Sequence, residues 1–132
     1  MTNSHDQLHK LVTQTEKDRT VTGVVTTKKH DPAYVKVKRT GFYTTQQSDT
    51  TLWTPAGSKK FVITDIIVSV DTAMRVYLND DATKIYEWHF AANGGCVINL
   101  QTPDESAIAD NVLSITMDAP GKCSIKVLGY EV

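Results

Sequence analysis

A run of ten residues at positions 61–70, Phe-Val-Ile-Thr-Asp-Ile-Ile-Val-Ser-Val, constrains the fold more than any other part of the sequence. β-Branched residues dominate this run, and their side chains fit the pleated surface of a β-sheet. Read with a period of two, one face carries Val62, Thr64, Ile66, Val68 and Val70. The other face carries Phe61, Ile63 and Ile67 among polar residues. Because a strand that is partly apolar on both faces belongs in the interior of a sheet, we predict a central strand here.

Shorter alternating segments follow this run toward the C-terminus. Apolar and polar residues alternate at positions 74–78, 84–91, 96–100, 113–117 and 123–132. Turn-forming residues separate these segments, among them Asn93-Gly94-Gly95 and Pro120-Gly121. Together with extended segments before residue 61, the pattern predicts eight or nine short strands. It favours an all-β antiparallel sandwich or barrel.

The first 41 residues differ in character from the rest of the chain. Apolar residues recur at helical spacing within residues 4–19, which predicts a short helix, and the β-branched residues 20–27 predict an extended arm. Residues 1–41 hold eight Lys/Arg against four Asp/Glu, whereas residues 42–132 hold six against eleven. We therefore predict an N-terminal helix and extended basic arm at 1–41 and a β-sandwich domain at 42–132. A basic arm with dispersed charges favours an acidic protein partner over nucleic acid.

Composition describes an ordinary globular domain. The 132 residues are 40% hydrophobic and 22% charged, and no apolar run approaches the roughly 18 residues that cross a bilayer. We predict no membrane partner, and the polar N-terminus predicts no secretory signal. Cys96 and Cys123 lie in apolar, strand-like segments without a Cys-x-x-Cys pair. Free buried thiols are the expectation, and a bridge between the two stays open.

Reactive or metal-binding spacings are scarce in this sequence. His5 and His9 are four residues apart on the predicted helix but lack a third ligand, and the acidic residues of the turns lack calcium-loop spacing. Glu87 and His89 share one face of a strand, and no Gly-x-Ser-x-Gly elbow occurs. We therefore predict that the protein is not an enzyme and has no catalytic residues, no metal and no cofactor. A domain of this kind works by binding or by building an assembly.

Aromatic residues allow two interpretations. Trp53, Tyr77 and Trp88 could form a platform on which a host glycan stacks, as the rings of β-sandwich carbohydrate modules do. However, Tyr86, Trp88 and Phe90 share one face of one strand, which is more typical of a hydrophobic core. Both interpretations stay open at this point.

Four short motifs mark the chain from residue 52 onward. They are Leu-Trp-Thr-Pro-x-Gly-x-Lys-Lys-Phe at 52–61, Leu-Asn-Asp at 78–80, Asn-Gly-Gly at 93–95 and Val-Leu-Gly-Tyr-Glu-Val at 127–132. With the Ile/Val-rich strand that follows the first motif, this segment resembles the small jelly-roll virion structural proteins of tailed bacteriophages, of the capsid decoration and head-fibre type. The resemblance implies a jelly-roll-like β-sandwich of about eight strands in a virion assembled in the host cytoplasm.

The same resemblance implies the partners. We expect a homo-oligomer, with a trimer favoured, that binds the major capsid protein or other virion proteins and grips the shell through its N-terminal arm. The predicted partner-binding residues of the arm are Val21, Val24, Val25, Lys28, Lys29, Lys36, Lys38 and Arg39. The first hypothesis is a capsid decoration or stabilising protein. The alternative is a tail or fibre protein, or a glycan-binding module that contacts the host surface.

Overall fold

The computed structural model describes residues 34–132, and eight β-strands make up their secondary structure. The strands are β1 (Val37–Tyr43), β2 (Thr50–Trp53), β3 (Phe61–Val70), β4 (Met74–Asp80), β5 (Thr83–Phe90), β6 (Gly95–Glu105), β7 (Leu113–Met117) and β8 (Cys123–Glu131). The predicted helix at 4–19 and the predicted extended arm at 20–27 lie outside the described residues. No helix that could span a membrane was found in the described range.

The strands form two four-stranded antiparallel sheets. Sheet 1 has the order β1-β8-β3-β6, and sheet 2 has the order β2-β7-β4-β5. Strands of the first half of the chain therefore pair with strands of the second half in nested order, β1 with β8, β2 with β7, β3 with β6 and β4 with β5. This is the arrangement of a jelly roll, in which one long antiparallel ribbon wraps around a common core. The predicted all-β jelly-roll-like sandwich of about eight strands is confirmed.

The strand β3 is central, as the apolar character of both its faces predicted. It pairs with β8 on one side and with β6 on the other. The predicted division of β3 into two faces is wrong for Phe61 and Ile63, because the register of β3 shifts between Ile63 and Asp65. Relative to β8, the β-bulge at Thr64 inserts one residue into β3 and reverses the alternation. Phe61 and Ile63 consequently face the same interior as the later Ile66, Val68 and Val70.

The core contains residues from both sheets, and Trp53 is its largest member. The Trp53 side chain is fully buried, its ring lies 5.7 Å from the ring of Phe61, and the indole packs against β8 at Gly129. A side chain at position 129 would meet the Val62 carbonyl carbon at 2.9 Å and Trp53 Cη2 at 3.1 Å. Glycine is therefore required where the indole and the β3 backbone both approach β8.

A buried carboxylate organises the loop between β6 and β7. Asp80 lies at the end of β4, and its carboxylate accepts hydrogen bonds from Ser106 Oγ at 2.8 Å, the Ala107 backbone N–H at 2.8 Å and Asn111 Nδ2 at 2.9 Å. Three donors compensate the cost of removing this carboxylate from water. The loop is thus attached to sheet 2 through one side chain.

The two cysteines are free thiols in the structure. Cys96 lies on β6 opposite Val68, and Cys123 lies on β8 opposite Val70, so β3 separates them. Strands on either side of a third strand are about 9.5 Å apart, which exceeds the roughly 7 Å that a disulfide can bridge. Burial raises the pKa of the Cys123 thiol to about 11 and also raises the pKa of Cys96. Both groups therefore remain protonated near neutral pH.

The boundary that we predicted after residue 41 falls inside β1. Val37–Tyr43 pairs with β8 over its whole length, so this segment is part of sheet 1. The structure thereby places Lys38 and Arg39 in the sandwich itself. Residues 1–33 keep five Lys/Arg against four Asp/Glu, which leaves them nearly neutral.

Candidate interaction surface

The outer face of sheet 1 is the side of that sheet that points away from the core. The register places Thr40, Lys126, Ile67 and Val97 in one row across its four strands. A neighbouring row contains Phe42, Ser124, Ser69 and Gly95. Three of these eight residues have large apolar side chains, and the three lie on different strands.

These three apolar side chains are exposed. Phe42 is 77% exposed, Val97 is 73% exposed and Ile67 is 44% exposed. Among the described residues only two further large hydrophobic side chains, Val35 and Ile108, are comparably exposed. Single exposed hydrophobic residues are common on soluble proteins, but a stripe that crosses a sheet is typical of a contact surface. We call Phe42, Ile67 and Val97 the apolar stripe.

Phe42 separates two grooves on this surface. The first groove has a volume of about 420 Å³ and is lined by Phe42 and Ile67, by the small side chains Ser69 and Ser124, and by Lys38, Thr40 and Lys126. The second also has a volume of about 420 Å³ and shares Phe42, Ser69 and Ser124 with the first. An apolar ridge flanked by two grooves can interlock with apolar side chains of a partner.

The charged groups at the first groove are both cationic. Lys38 lies on β1 and Lys126 lies on β8, and both line the groove. A partner that inserts an apolar side chain here would therefore be favoured by an acidic group beside it. In the second groove, burial is the main reason why the pKa of Tyr43 is raised, with a smaller effect from Cys123.

The outer face of sheet 2 has the opposite character. The Arg75 guanidinium donates to Asp118 at 2.9 Å and lies 3.7 Å from Glu87, which also lies 3.5 Å from Lys84. Hydrogen bonds from the Arg75 backbone N–H and then from its side chain lower the pKa of Asp118. As predicted, Glu87 and His89 lie on this polar face, with His89 Nε2 3.7 Å from the Glu87 carboxylate. The charged side chains on the outer face of sheet 2 are thus paired with one another, so this face offers few unpaired charges to a partner protein.

The predicted arm residues divide into three groups. Val21, Val24, Val25, Lys28 and Lys29 lie outside the described residues. Lys36 is exposed just before β1, and Lys38 lines the first groove. Arg39 points to the other side of β1, where its guanidinium lies 5.9 Å from the centroid of the Trp53 ring. Arg39 therefore packs on the core of its own domain and is not placed on the same surface as Lys38.

The predicted glycan platform is not assembled in the structure. Trp53 is fully buried in the core, which removes it from any surface. Tyr77 lies on the outer side of sheet 2, where Lys84 Nζ lies 4.1 Å from its ring centroid. Trp88 points to the opposite side, against the core. The second interpretation, which assigned Tyr86, Trp88 and Phe90 to the core, is partly correct, because all three are half-buried against it.

The aromatic residues of β5 form a ladder at the margin of the core. Trp88 stacks on Tyr86 with ring centroids 5.6 Å apart and on Phe90 with centroids 6.3 Å apart. All three are half-buried and pack against the core on one side. The Tyr86 hydroxyl donates to Asp104 at 2.7 Å, and burial followed by this carboxylate raises the pKa of Tyr86.

Three acidic residues in or near the turns have structural partners. Besides Asp80 and Asp104, Asp110 accepts a hydrogen bond from the Ser58 backbone N–H at 2.6 Å. Within residues 34–132, no three His, Cys, Asp or Glu side chains are grouped so that they could hold a metal ion. The carboxylates of Asp80 and Asp110 stabilise loops, and that of Asp104 joins β6 to β5 through Tyr86.

Sequence reasoning did not identify the apolar stripe. The alternation of β3 placed Ile67 opposite Ile66 and Val68, and this was the available signal that Ile67 faces outward. Val97 carried the same local signal, since it alternates with Cys96, Ile98 and Leu100. That Phe42, Ile67 and Val97 share one surface could not be predicted locally, because their strands come together only through long-range pairing. The surface is a product of strand order.

Comparisons with known proteins assign no family to this chain. No protein-family model matches the sequence. No curated protein matches it either. Among solved structures, the chain is similar to one described as a cryo-EM structure of a virus-like particle of the extra small virus of the giant freshwater prawn Macrobrachium rosenbergii, with 14% sequence identity and a TM-score of 0.32 over 77% of this chain and 84% of that chain. A likeness this weak carries no argument about function, and the jelly-roll assignment therefore depends on the strand order itself.

Proposed function

We propose that this protein is a non-enzymatic structural protein of a bacteriophage virion that attaches to the capsid shell and stabilises or decorates it. The observation that supports this most is the apolar stripe on a jelly-roll domain whose other outer face has its charges paired. Such a domain has one surface suited to burial against another protein. The resemblance of residues 52–132 to small phage virion proteins supports a virion as the setting.

The chemistry of the surface describes the shell site that would receive it. Phe42 would enter an apolar depression, and the partner's own apolar side chains would fill the grooves on either side of it. Carboxylates on the partner would lie close to Lys38 and Lys126. Since a shell offers many equivalent sites, each contact needs only modest affinity.

The N-terminal arm adds a second attachment point in this proposal. Its β-branched residues 20–27 include Val21, Val24 and Val25 and can add a strand to the edge of a neighbouring sheet. Lys28 and Lys29 follow directly. Because Lys38 belongs to the sandwich and Arg39 packs on Trp53, we assign the arm a largely apolar and main-chain contact in place of a mainly electrostatic one.

Substitution of Phe42 tests the role of the stripe. Phe42→Asp should lower the affinity for purified shells by about tenfold or more, because exposed aromatic side chains at the centre of an interface often contribute 2 kcal/mol or more. Co-sedimentation with gradient-purified particles of the phage measures the bound fraction. Thr51→Asp adds the same charge at an exposed position of β2 and is the matched control. Full binding by Phe42→Asp, or equal losses in both variants, would contradict the role of the stripe. Absence of the protein from purified particles would contradict the virion role.

Removal of the arm tests the second attachment point. A chain that lacks residues 1–30 should keep the melting temperature of the sandwich but lose at least about tenfold in particle binding, because linked contacts multiply their effects. Calorimetry and co-sedimentation measure the two quantities on the same preparation. If the shortened protein decorated shells at full occupancy, attachment through the arm would be wrong.

A further inference from the structure

One lateral side of the sandwich exposes the margin of the core. Among the strands of residues 34–132, β6 ends sheet 1 and β5 ends sheet 2. The short turn at residues 91–94 joins these two strands, so both lie on the same side of the sandwich. The opposite side is where β1 and β2 are in contact. We call the side formed by β5 and β6 the β5–β6 edge.

Two apolar rows reach this edge and are half-buried there. The row on β6 consists of Cys96, Ile98 and Leu100, and the row on β5 is the aromatic ladder Tyr86, Trp88 and Phe90. Both rows pack against the core on their inner sides. No further described strand covers their outer sides. Six apolar side chains that stop at an open margin are suited to burial by another molecule.

The backbone of β6 presents hydrogen-bonding groups to the same side. The Val70 N–H donates to the Gly94 carbonyl at 2.9 Å, which makes this a hydrogen-bonded pair of β3 and β6. Hydrogen-bonded and non-hydrogen-bonded pairs alternate along an antiparallel ladder, and Val97 lies opposite Ile67, three residues before Val70. Val97 and Ile67 therefore form a non-hydrogen-bonded pair. The N–H and carbonyl of Val97 therefore point away from β3, toward the edge.

Charge and length together distinguish residues 95–102 of β6 from the other three edge strands. Residues 95–102 carry no ionisable acid or base apart from the thiol of Cys96. In contrast, β1 contains Lys38 and Arg39, and β5 contains Lys84, Glu87 and His89. The strand β2 is uncharged but has only four residues. Charged residues on an edge strand oppose pairing with an identical strand. A second copy that pairs along residues 95–102 thus meets no charge repulsion there, since the two acids of β6, Asp104 and Glu105, lie at its C-terminal end.

We propose that β6 is the dimerisation edge of this protein, at which a second copy of the chain pairs its own β6 in antiparallel orientation about a twofold axis. The pairing joins two four-stranded sheets into one of eight strands, and each copy covers the half-buried rows of the other. The same surface serves both copies, as twofold symmetry requires. It also brings the two apolar stripes together, since Val97 is the stripe residue nearest the axis. This inference goes beyond the proposed virion role and does not depend on it.

Two substitutions at Val97 test the pairing in the full-length chain. Val97→Pro removes an N–H that β3 does not use, and edge strands tolerate proline in this position. Val97→Lys places like charges near the axis. Sedimentation equilibrium of the unaltered protein should give twice the chain mass of 14.6 kDa, and each variant should raise the dimer dissociation constant at least about tenfold while the melting temperature of the monomer is retained.

Thr40→Lys is the matched control, because Thr40 lies in the same row of the sheet on the far edge strand. It should leave the dimer intact. A monomer at all concentrations, a trimer in place of a dimer, or a dimer that both Val97 variants leave unchanged would overturn the proposal. Equal dissociation by Thr40→Lys and Val97→Lys would overturn it as well, since the effect would then be one of net charge.

Discussion

Gly129→Ala should destabilise the sandwich by at least about 3 kcal/mol, the upper range for added volume in a packed core. The new methyl group would meet the Val62 carbonyl carbon at 2.9 Å and the Trp53 indole at 3.1 Å. The β3 backbone cannot move aside without breaking its ladder with β8, and the indole is fully buried. Since domains of this size are stable by only about 5–15 kcal/mol, the loss should be plain in a urea titration.

The control for this prediction is Gly57→Ala. A methyl group at Gly57 has no neighbouring atom within 4 Å, and this glycine does not have a left-handed backbone conformation. The substitution should be neutral or slightly stabilising, because alanine restricts the unfolded chain. Equal stability of the two variants would show that the close approach at Gly129 does not limit the fold.

Asp80→Ala should cost about 3 kcal/mol, because hydrogen bonds to a charged group are each worth roughly 1.5–3 kcal/mol and their losses are not additive. The substitution leaves the Ser106 hydroxyl, the Ala107 N–H and the Asn111 amide without their common acceptor. Ser106 is itself buried, so water cannot fully replace the carboxylate. Chemical denaturation measures the loss in stability.

Hydrogen exchange locates the effect of Asp80→Ala. The Ala107 amide should exchange faster once its acceptor is gone, whereas amides in β3 and β8 should change only with global stability. Glu105→Ala is the control, since it removes an exposed carboxylate in the residue before Ser106. If Asp80→Ala and Glu105→Ala were equally stable, the loop between β6 and β7 would not depend on the buried acid.

Gly129 and Asp80 matter for the proposed binding surfaces, because both residues stabilise the strands that carry those surfaces. Gly129 lies on β8, between β1 with Phe42 and β3 with Ile67. Asp80 connects sheet 2 to the loop that follows β6, the strand that contains Val97. Variants of the surface residues themselves should leave stability nearly unchanged, because exposed side chains contribute little to it. Binding defects in those variants can therefore be read separately from folding defects.

Local alternation predicted much of the architecture. Met74, Val76 and Leu78 alternate with polar residues, and all three are buried in the structure. A period of two reports which side chains share a face of one strand, and the apolar content of β3 reported that both its faces would be covered. Turn residues such as Asn93 and Gly94 marked where strands end. These signals are all short-range.

The β-bulge at Thr64 shows where such local reading fails. Phe61 and Ile63 have the wrong parity for the interior if the alternation is continued from Ile66, yet both are buried. One extra residue reverses the parity, and its position is decided by how β3 pairs with β6 and β8 at once. Trp53 is a second example, since its burial depends on contacts with Phe61 of β3 and Gly129 of β8, which both belong to the other sheet.

The order of residues along this chain was enough to specify an all-β domain, its approximate number of strands and the central place of β3, because side-chain alternation and turn chemistry act over a few neighbouring residues. The nested pairing of β1 with β8 and of β3 with β6 was decided by the folded molecule. Those contacts join segments far apart in the chain, and their geometry depends on how both sheets pack together. The apolar stripe and the β5–β6 edge exist only through that pairing, which is why both surfaces became visible with the three-dimensional fold.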